Sequence, residues 1–218
     1  MIYDCTDEFL LRHSACYGGV VYDLGCGEAP YRNFFLGYCS RYIGVDWENS
    51  QHTQGADIAA DLNQPLPIPD KSADLVVSIS VLEHLYDPAM MLREAFRILK
   101  PGGRLLLQVP FMWQVHEAPH DYYRFTRFGL LHLLETAGFD AIDIRPTTGF
   151  WGMWTLKLNY QLRRLVRGPA PVRWVLGLFF GLCFWLNQHL ARVLDRFWQA
   201  GNETAGYVVI ANRPGDPA

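Results

Sequence analysis

The sequence predicts an α/β fold: a mostly parallel sheet with helices on both faces and one helical insertion. Three observations predict it. Short β-branched apolar runs alternate with helix-periodic segments from residue 20 to residue 146. The first run leads straight into a glycine turn, "VVYDLGCGEAP", which reads as a strand–turn–helix cradle. A stretch of about sixty residues, 147–204, then breaks the alternation before one last strand.

In order, "GGVVYDLG" is a buried strand bounded by glycines. "PYRNFFLGY" is a helix, with Pro30 suited to its first turn. "RYIGVD" is a second strand, "ADIAADL" a weaker third and "SADLVVSISV" a fourth. "DPAMMLREAFRILKPGG" is the clearest helix. Asp87 caps it and Pro88 takes its first position. Met91, Leu92, Ala95, Phe96, Ile98 and Leu99 make its apolar face, and Lys100, Pro101, Gly102 and Gly103 end it. "RLLLQVP" is a fifth strand. "TRFGLLHLLETAGF" is a second amphipathic helix, closed by Gly138. "DAIDIRP" and "AGYVVIAN" alternate as strands on either side of the insertion.

With 218 residues, half of them hydrophobic, the chain is long enough for one sizeable core and a small appendage. A net charge of −3 gives no support for nucleic acid as a partner. The five cysteines are odd in number, scattered and without a CxxC pair. They predict neither a disulfide framework nor a zinc site, and they fit a reducing cytoplasm. The N-terminal stretch has no basic start followed by an apolar run, so it reads as no signal peptide.

The glycine turn separates two ligand classes. A dinucleotide site wants G-x-G-x-x-G, and Gly25-Cys26-Gly27-Glu28-Ala29-Pro30 has proline at the third glycine. Asp23 at the strand end would repel a pyrophosphate and attract an ammonium or sulfonium. A nicotinamide oxidoreductase is therefore disfavoured.

The turn resembles the first motif of the class I S-adenosylmethionine-dependent methyltransferases, and further motifs follow in that family's order. Asp46 in "YIGVDWE" falls where the family places an acid on the ribose hydroxyls, with Trp47 beside it to stack on adenine or cover an edge. Asp61 and Leu62 fall where the adenine is held. Ser80, Val81 and Leu82 follow the fourth strand and line the cofactor cleft. "LKPGGRLLLQVP" resembles the link into the fifth strand. The resemblance covers 20–145 and returns at 206–212. It implies a Rossmann-like seven-stranded sheet with a reversed last strand, S-adenosylmethionine as cofactor, and cofactor contacts from Asp23, Gly25, Cys26, Gly27, Asp46, Trp47, Asp61, Leu62, Ser80 and Val81. Ala29 stands where glycine is common, which is tolerable if its backbone is not left-handed. Cys26 reads as a small packing residue, and the segment before the first strand has room for one helix at most.

The loop "PFMWQVHEAPHDYYRFT" crowds His116, Glu117, His120, Asp121, Tyr122, Tyr123 and Arg124 at the same sheet edge. A hydroxyl acceptor must lose a proton as the methyl arrives, and histidine is the usual base near neutral pH. His116 or His120, aided by Asp121, is the expected base, and Arg124 or Tyr122 would hold an anionic or sugar acceptor. His84 reads as a structural hydrogen-bonder or a cleft residue. The spacing His116-x3-His120 with Asp121 is permissive on a loop, so no metal is expected.

Within 149–198 lie five of the seven tryptophans and seven basic residues against one acid, Asp195. The run 174–186 is entirely apolar or glycine, roughly 20 Å as a helix, short of a bilayer core of about 30 Å. Three roles stay open for it: a hairpin in a membrane interface, a homodimer contact, or a lid over an apolar substrate. The expected domains are a methyltransferase core, 1–146 with 205–218, and a Trp/Arg-rich insertion, 147–204. The expected function is methyl transfer, foremost to oxygen, on a small or lipid-linked acceptor. The rival reading is a non-catalytic membrane-associated module that binds the cofactor.

Overall fold

In the computed structural model the described residues are 2–48, 55–198 and 202–215, with side chains from residue 5 onward. The ends of the expected insertion (199–201) and core (216–218) lie outside them. Seven strands form one sheet: β1 (Val20–Leu24), β2 (Arg41–Asp46), β3 (Ile58–Ala59), β4 (Ala73–Ile79), β5 (Leu99–Pro110), β6 (Asp140–Pro146) and β7 (Gly206–Asn212). Their order is β3-β2-β1-β4-β5-β7-β6. All neighbours run parallel except β7, which is antiparallel to both β5 and β6. The order reverses between β1 and β4, so a cleft opens at their carboxyl ends, where open α/β sheets hold ligands.

The helices are α1 (Ile2–Arg12), α2 (Arg32–Leu36), α3 (Pro88–Ile98), α4 (Arg127–Ala137), α5 (Phe150–Arg163) and α6 (Ala170–Phe197). Helix α3 starts as its sequence dictates. The Asp87 carboxylate accepts from Met90 N at 3.0 Å, and Pro88 fills the first turn, where its missing N–H costs nothing. Thr126 caps α4, and Gly138 closes it at φ 100°, a left-handed conformation that glycine adopts freely. Helix α2 begins at Arg32, after Pro30 rather than on it. Each face of the sheet has its own apolar core. One gathers Leu24, Val45, Met91, Leu92, Ile98, Leu105 and Leu130 under α3 and α4. The other gathers Phe9, Leu10, Val21, Phe35, Val77 and Leu106 under α1 and α2.

Helices α5 and α6 form an antiparallel hairpin pinned by polar contacts. Asp195 accepts from Trp151 N and Gly152 N, both at 2.9 Å, and so caps α5 from across the pair. A Cβ at Gly149 would meet the Asp195 carboxylate at 2.5 Å. The Asn159 and Asn187 amides exchange two hydrogen bonds, 3.1 and 2.7 Å. Asp195 and Asn187 keep the same spacing as Trp151 and Asn159, so Arg163 is level with Cys183 and 170–182 runs past the end of α5.

The apolar run 174–186 keeps its roughly 20 Å, but the helix that holds it does not end with the run. Helix α6 has 28 residues, about 42 Å, because Asn187 and Ala191 carry it on against α5 beyond the apolar run. By length and composition it is long and apolar enough to cross a membrane. Only Ala191 is buried in it, while Trp174, Leu178, Phe179, Leu182, Trp185 and Leu190 are all more than half exposed.

Candidate cofactor and acceptor site

The glycine turn leaves β1 at the switch point. Gly25 N and Cys26 N both donate to Val45 O, at 2.8 and 3.2 Å, which ties the turn to β2. Gly25 sits at φ 81°, and a Cβ there would lie 2.3 Å from the Val81 side chain. Glycine is thus required twice over, for conformation and for space. Gly27 is also left-handed, at φ 54°, and its N–H donates to Asp46 Oδ2 at 2.6 Å. Asp46 Oδ1 accepts from Trp47 N at 2.7 Å. Each carboxylate oxygen has a second lone pair for a ligand hydroxyl.

Ala29 departs from the sequence reading. Its φ is 54°, so the condition for tolerating alanine fails. A left-handed L-residue costs roughly 1–2 kcal/mol, and the packed turn holds it there. Ala29 N donates to Cys26 O at 2.8 Å, and Gly55 presses on the turn so closely that a Cβ would lie 2.6 Å from Gly27 O. Cys26 packs as expected: a Cβ at Gly44 would meet its sulfur at 2.7 Å, and burial pushes its thiol up to about 12, which makes it inert.

Asp23 stands behind the turn with 3% exposure and accepts from the Tyr42 hydroxyl at 2.6 Å. Burial first, opposed by the Tyr42 bond and reinforced by Asp46, raises its carboxyl to about 6. Leu62 is a core residue, 4% exposed, so its side chain packs inward. Asp61 accepts from Asn63 N and Nδ2, both at 2.9 Å, and shapes that loop. Ser80 is left-handed at φ 56°; its hydroxyl donates to Gln108 Oε1 at 2.6 Å and its N–H to Gln108 O at 2.9 Å.

Arg124 organises the loop between β5 and α4. Its guanidinium grips both Asp121 oxygens, at 2.6 and 2.7 Å, and donates to Gln114 O at 2.7 Å and Trp113 O at 3.3 Å. These bonds occupy the fork, so Arg124 builds the loop rather than receiving an anionic acceptor, and that expectation is corrected. The Arg124 hydrogen bonds hold Asp121 well below the usual carboxylate range. Asp121 Oδ2 accepts from His116 N at 2.8 Å and lies 3.4 Å from His116 Nδ1. The acid therefore serves His116, not His120. His120 stands elsewhere: its exposed ring meets Trp47 edge-to-face at 5.6 Å, and its Nδ1 lies 3.3 Å from the Tyr122 hydroxyl. This contact joins the β2 edge to the loop after β5.

Glu83 was missed by the sequence reading. It lies in the short 3-10 turn after β4, fully buried, and neither carboxylate oxygen has a hydrogen-bond partner among the described residues. Burial pushes its carboxyl up to about 8. His84 Nε2 is 3.7 Å and His116 Nε2 3.8 Å from Glu83 Oε1. The only signal was an acid in the apolar run "SVLEHL" at the ligand-bearing edge. His84 makes the structural contact of the first of its two expected roles. Its Nδ1 lies 2.6 Å from His120 O, and its ring meets that of His116 at 4.7 Å.

A family model described as a methyltransferase domain matches residues 22–107, from β1 into β5. This match and the relatives that follow support a class I S-adenosylmethionine-dependent methyltransferase. A "probable S-adenosylmethionine-dependent methyltransferase" of Mycolicibacterium smegmatis (strain ATCC 700084 / mc(2)155) is 33% identical over 140 residues, 59% of this chain and 54% of that protein. The ubiquinone biosynthesis O-methyltransferase of Pseudomonas savastanoi pv. phaseolicola (strain 1448A / Race 6) is 25% identical over 166 residues, 74% of this chain and 64% of that protein. The match thus spans about half the length of the first of these relatives. Among solved structures, the 4+2 cyclase SpnF shares the fold, with TM-score 0.65 over 97% of this chain and 82% of that one at 18% identity. S-adenosylmethionine is the cofactor of this methyltransferase family, and the residues present fit it. Gly25 lets the turn pack directly on Val81 at the switch point, and the Asp46 carboxylate closes its β2 side with a lone pair on each oxygen left for the ribose hydroxyls. When bound, the cofactor supplies an electrophilic methyl on a sulfonium.

Proposed function

We propose that the protein methylates an oxygen of a small or lipid-linked acceptor at the cytoplasmic face of a membrane. One observation carries this reading. The histidine- and carboxylate-rich loop after β5 meets the cofactor edge through the Trp47–His120 contact. Asp46 and Gly27 would hold the ribose side, and Ser80 and Val81 the cleft floor. Asp23 would act from behind the turn, as a buried acid that favours a cationic ligand. His120, exposed and beside the β2 edge, would take the acceptor proton, while Asp121 fixes His116 deeper in the cleft. In-line positioning supplies most of the remaining acceleration.

Two observations support an apolar acceptor. The exposed face of α6 suits a membrane surface, with arginines and tryptophans at headgroup level. Helix α5 also touches the acceptor loop, since Tyr160 meets Trp113 edge-on at 5.8 Å. The relative that makes ubiquinone by O-methylation supports oxygen as the acceptor atom.

The test is mass spectrometry of lipid and glycan extracts incubated with the protein and S-adenosylmethionine, seeking a methyl mass gain. The variant His120→Ala should keep cofactor affinity and lose roughly 10²–10⁴-fold in turnover. Unchanged turnover would remove His120 from the role, and no methylated product from any extract would return the protein to a binding module.

A further inference from the structure

Glu83, His84 and His116 converge from two separate segments, the turn after β4 and the loop after β5. One ligand atom from each lies within 4.8 Å of the other two. With sides of 3.7 and 3.8 Å and a third of at most 4.8 Å, a point equidistant from the three is no more than about 2.4 Å from each, and zinc–imidazole bonds are about 2.0–2.1 Å. A few tenths of an ångström of closure would complete a coordination triangle.

The second observation is independent of that spacing. Glu83 is fully buried, yet both of its oxygens lack a hydrogen-bond partner among the described residues. Buried polar atoms are nearly always satisfied, and a buried carboxylate without donors is costly. A cation held between it and the two imidazoles would satisfy it. The two nearby Nε2 atoms both lie within 3.8 Å of the same oxygen, Oε1.

The outer contact of His84 is that of a metal-ligating histidine. His120 O can only accept, so His84 Nδ1 carries the proton and Nε2 is left with its lone pair toward Glu83. His116 Nδ1 faces Asp121 Oδ2 at 3.4 Å, the carboxylate–histidine arrangement. Arg124 Nη2 also lies 3.3 Å from that Nδ1, so ligation at His116 Nε2 requires the Nδ1 proton to be given to Asp121 and not received from Arg124. Glu117 Oε2, 3.9 Å from His84 Nε2, is within reach as a further oxygen ligand.

We infer that Glu83, His84 and His116 form a binding site for a divalent first-row transition metal, with coordination positions open toward the acceptor. Two imidazoles and one carboxylate are a borderline donor set that suits zinc, iron, cobalt or manganese, and not calcium or magnesium. The binding inference stands without the methyl-transfer reading. Its consequence rests on that reading: the ion would hold the acceptor hydroxyl and lower its pKa beside His120.

The experiment uses the full chain, free of any affinity tag and treated with chelator, titrated with Co2+. Cobalt reports its ligands in its visible spectrum. Thiolate ligation at an exposed cysteine such as Cys16 would show itself by intense charge transfer. One equivalent should bind, with a nitrogen/oxygen-type spectrum. Glu83→Gln and His84→Ala should each weaken binding by at least about 10-fold, while the exposed His132→Ala should not. Equal affinity in Glu83→Gln and the parent, or no binding by the parent, overturns the site. Should a variant fail to fold, X-ray absorption on the zinc-loaded parent decides instead. Two imidazoles with oxygen sustain the inference, and sulfur or no imidazole ends it. Because binding is read without cofactor or acceptor, a negative result here leaves the methyltransferase reading intact.

Discussion

The cofactor edge and the α5–α6 hairpin are opposites in how they meet solvent. At the cofactor edge even the charged groups are tucked in: Asp23 lies under Tyr42, and Asp46 clasps Gly27. In the hairpin even the largest apolar groups are out: Trp174 is 69% exposed and Phe197 84%. Buried polarity that is fully bonded specifies a geometry. Exposed apolar surface on this scale specifies a partner. The first region suits a small polar molecule held in one pose, and the second carries the surface on which the proposed membrane contact rests.

The largest expected effect breaks the contrast from the hairpin side. Replacing Leu178, Phe179 and Leu182 with serine should abolish sedimentation with anionic liposomes, since each exposed side chain gives up about 1.5–3 kcal/mol of burial. Cofactor binding, read as a melting shift, should not change. Phe180 is left alone because it is less exposed than its neighbours and packs on Phe184. A parent that stays in the supernatant at every lipid composition, and elutes as a dimer that these serines split, would assign the surface to a second copy.

On the cofactor side, Asp23→Asn tests the buried acid. Its folded pKa of about 6 lies above the ordinary 3.8, so its contribution is present below pH 3.8 and is lost as pH rises through 6. The variant's stability relative to the parent should therefore rise from near zero at pH 4 to about 3 kcal/mol at pH 8. If the acid also favours a cationic cofactor, that gain comes with weaker S-adenosylmethionine binding at pH 8. Denaturant melts across this range, with and without cofactor, separate the two effects. A flat difference would mean that the carboxyl titrates normally.

Next in size, Asp46→Ala should cost about 1.5–3 kcal/mol of cofactor binding and leave liposome binding untouched. Calorimetric titration with S-adenosylhomocysteine checks it, and undiminished affinity would remove Asp46 from the ribose. The smallest effect belongs to Ala29. Ala29→Gly relieves a left-handed alanine but loses a buried methyl and gains unfolded-state entropy, for a net gain of about 0.5 kcal/mol. Destabilisation would show that the methyl packs for more than its strain costs.

The sheet was legible because its signals are local. Each strand is a short β-branched run beside a glycine or proline, and Asp87, Pro88 and Gly138 mark helix ends by their own chemistry. The cofactor turn was legible for the same reason, since Gly25, Gly27 and Asp46 come with a motif. The acceptor side was not. That Asp121 serves His116, that Arg124 is spent on the loop, and that Glu83 lies among histidines are facts of tertiary approach between β4 and β5. No spacing in the chain encodes them. The length of α6 was hidden differently. The apolar run stops at Leu186, but Asn187 finds Asn159 across the hairpin, and a polar pair between helices does not show in a hydropathy pattern.

The Asn159–Asn187 and Asp195–Trp151 links deny the hairpin any freedom to slide: a shift of one turn would strand two amides and a carboxylate. The free tip at 170–182 therefore projects by a set amount, about 20 Å, from the level of Arg163. Seated in a bilayer, such a tip acts as a depth gauge. On the proposed reading it would fix the height of the catalytic mouth above the lipid, and an acceptor would then be chosen by the reach of the polar stem that joins its reactive oxygen to its tail.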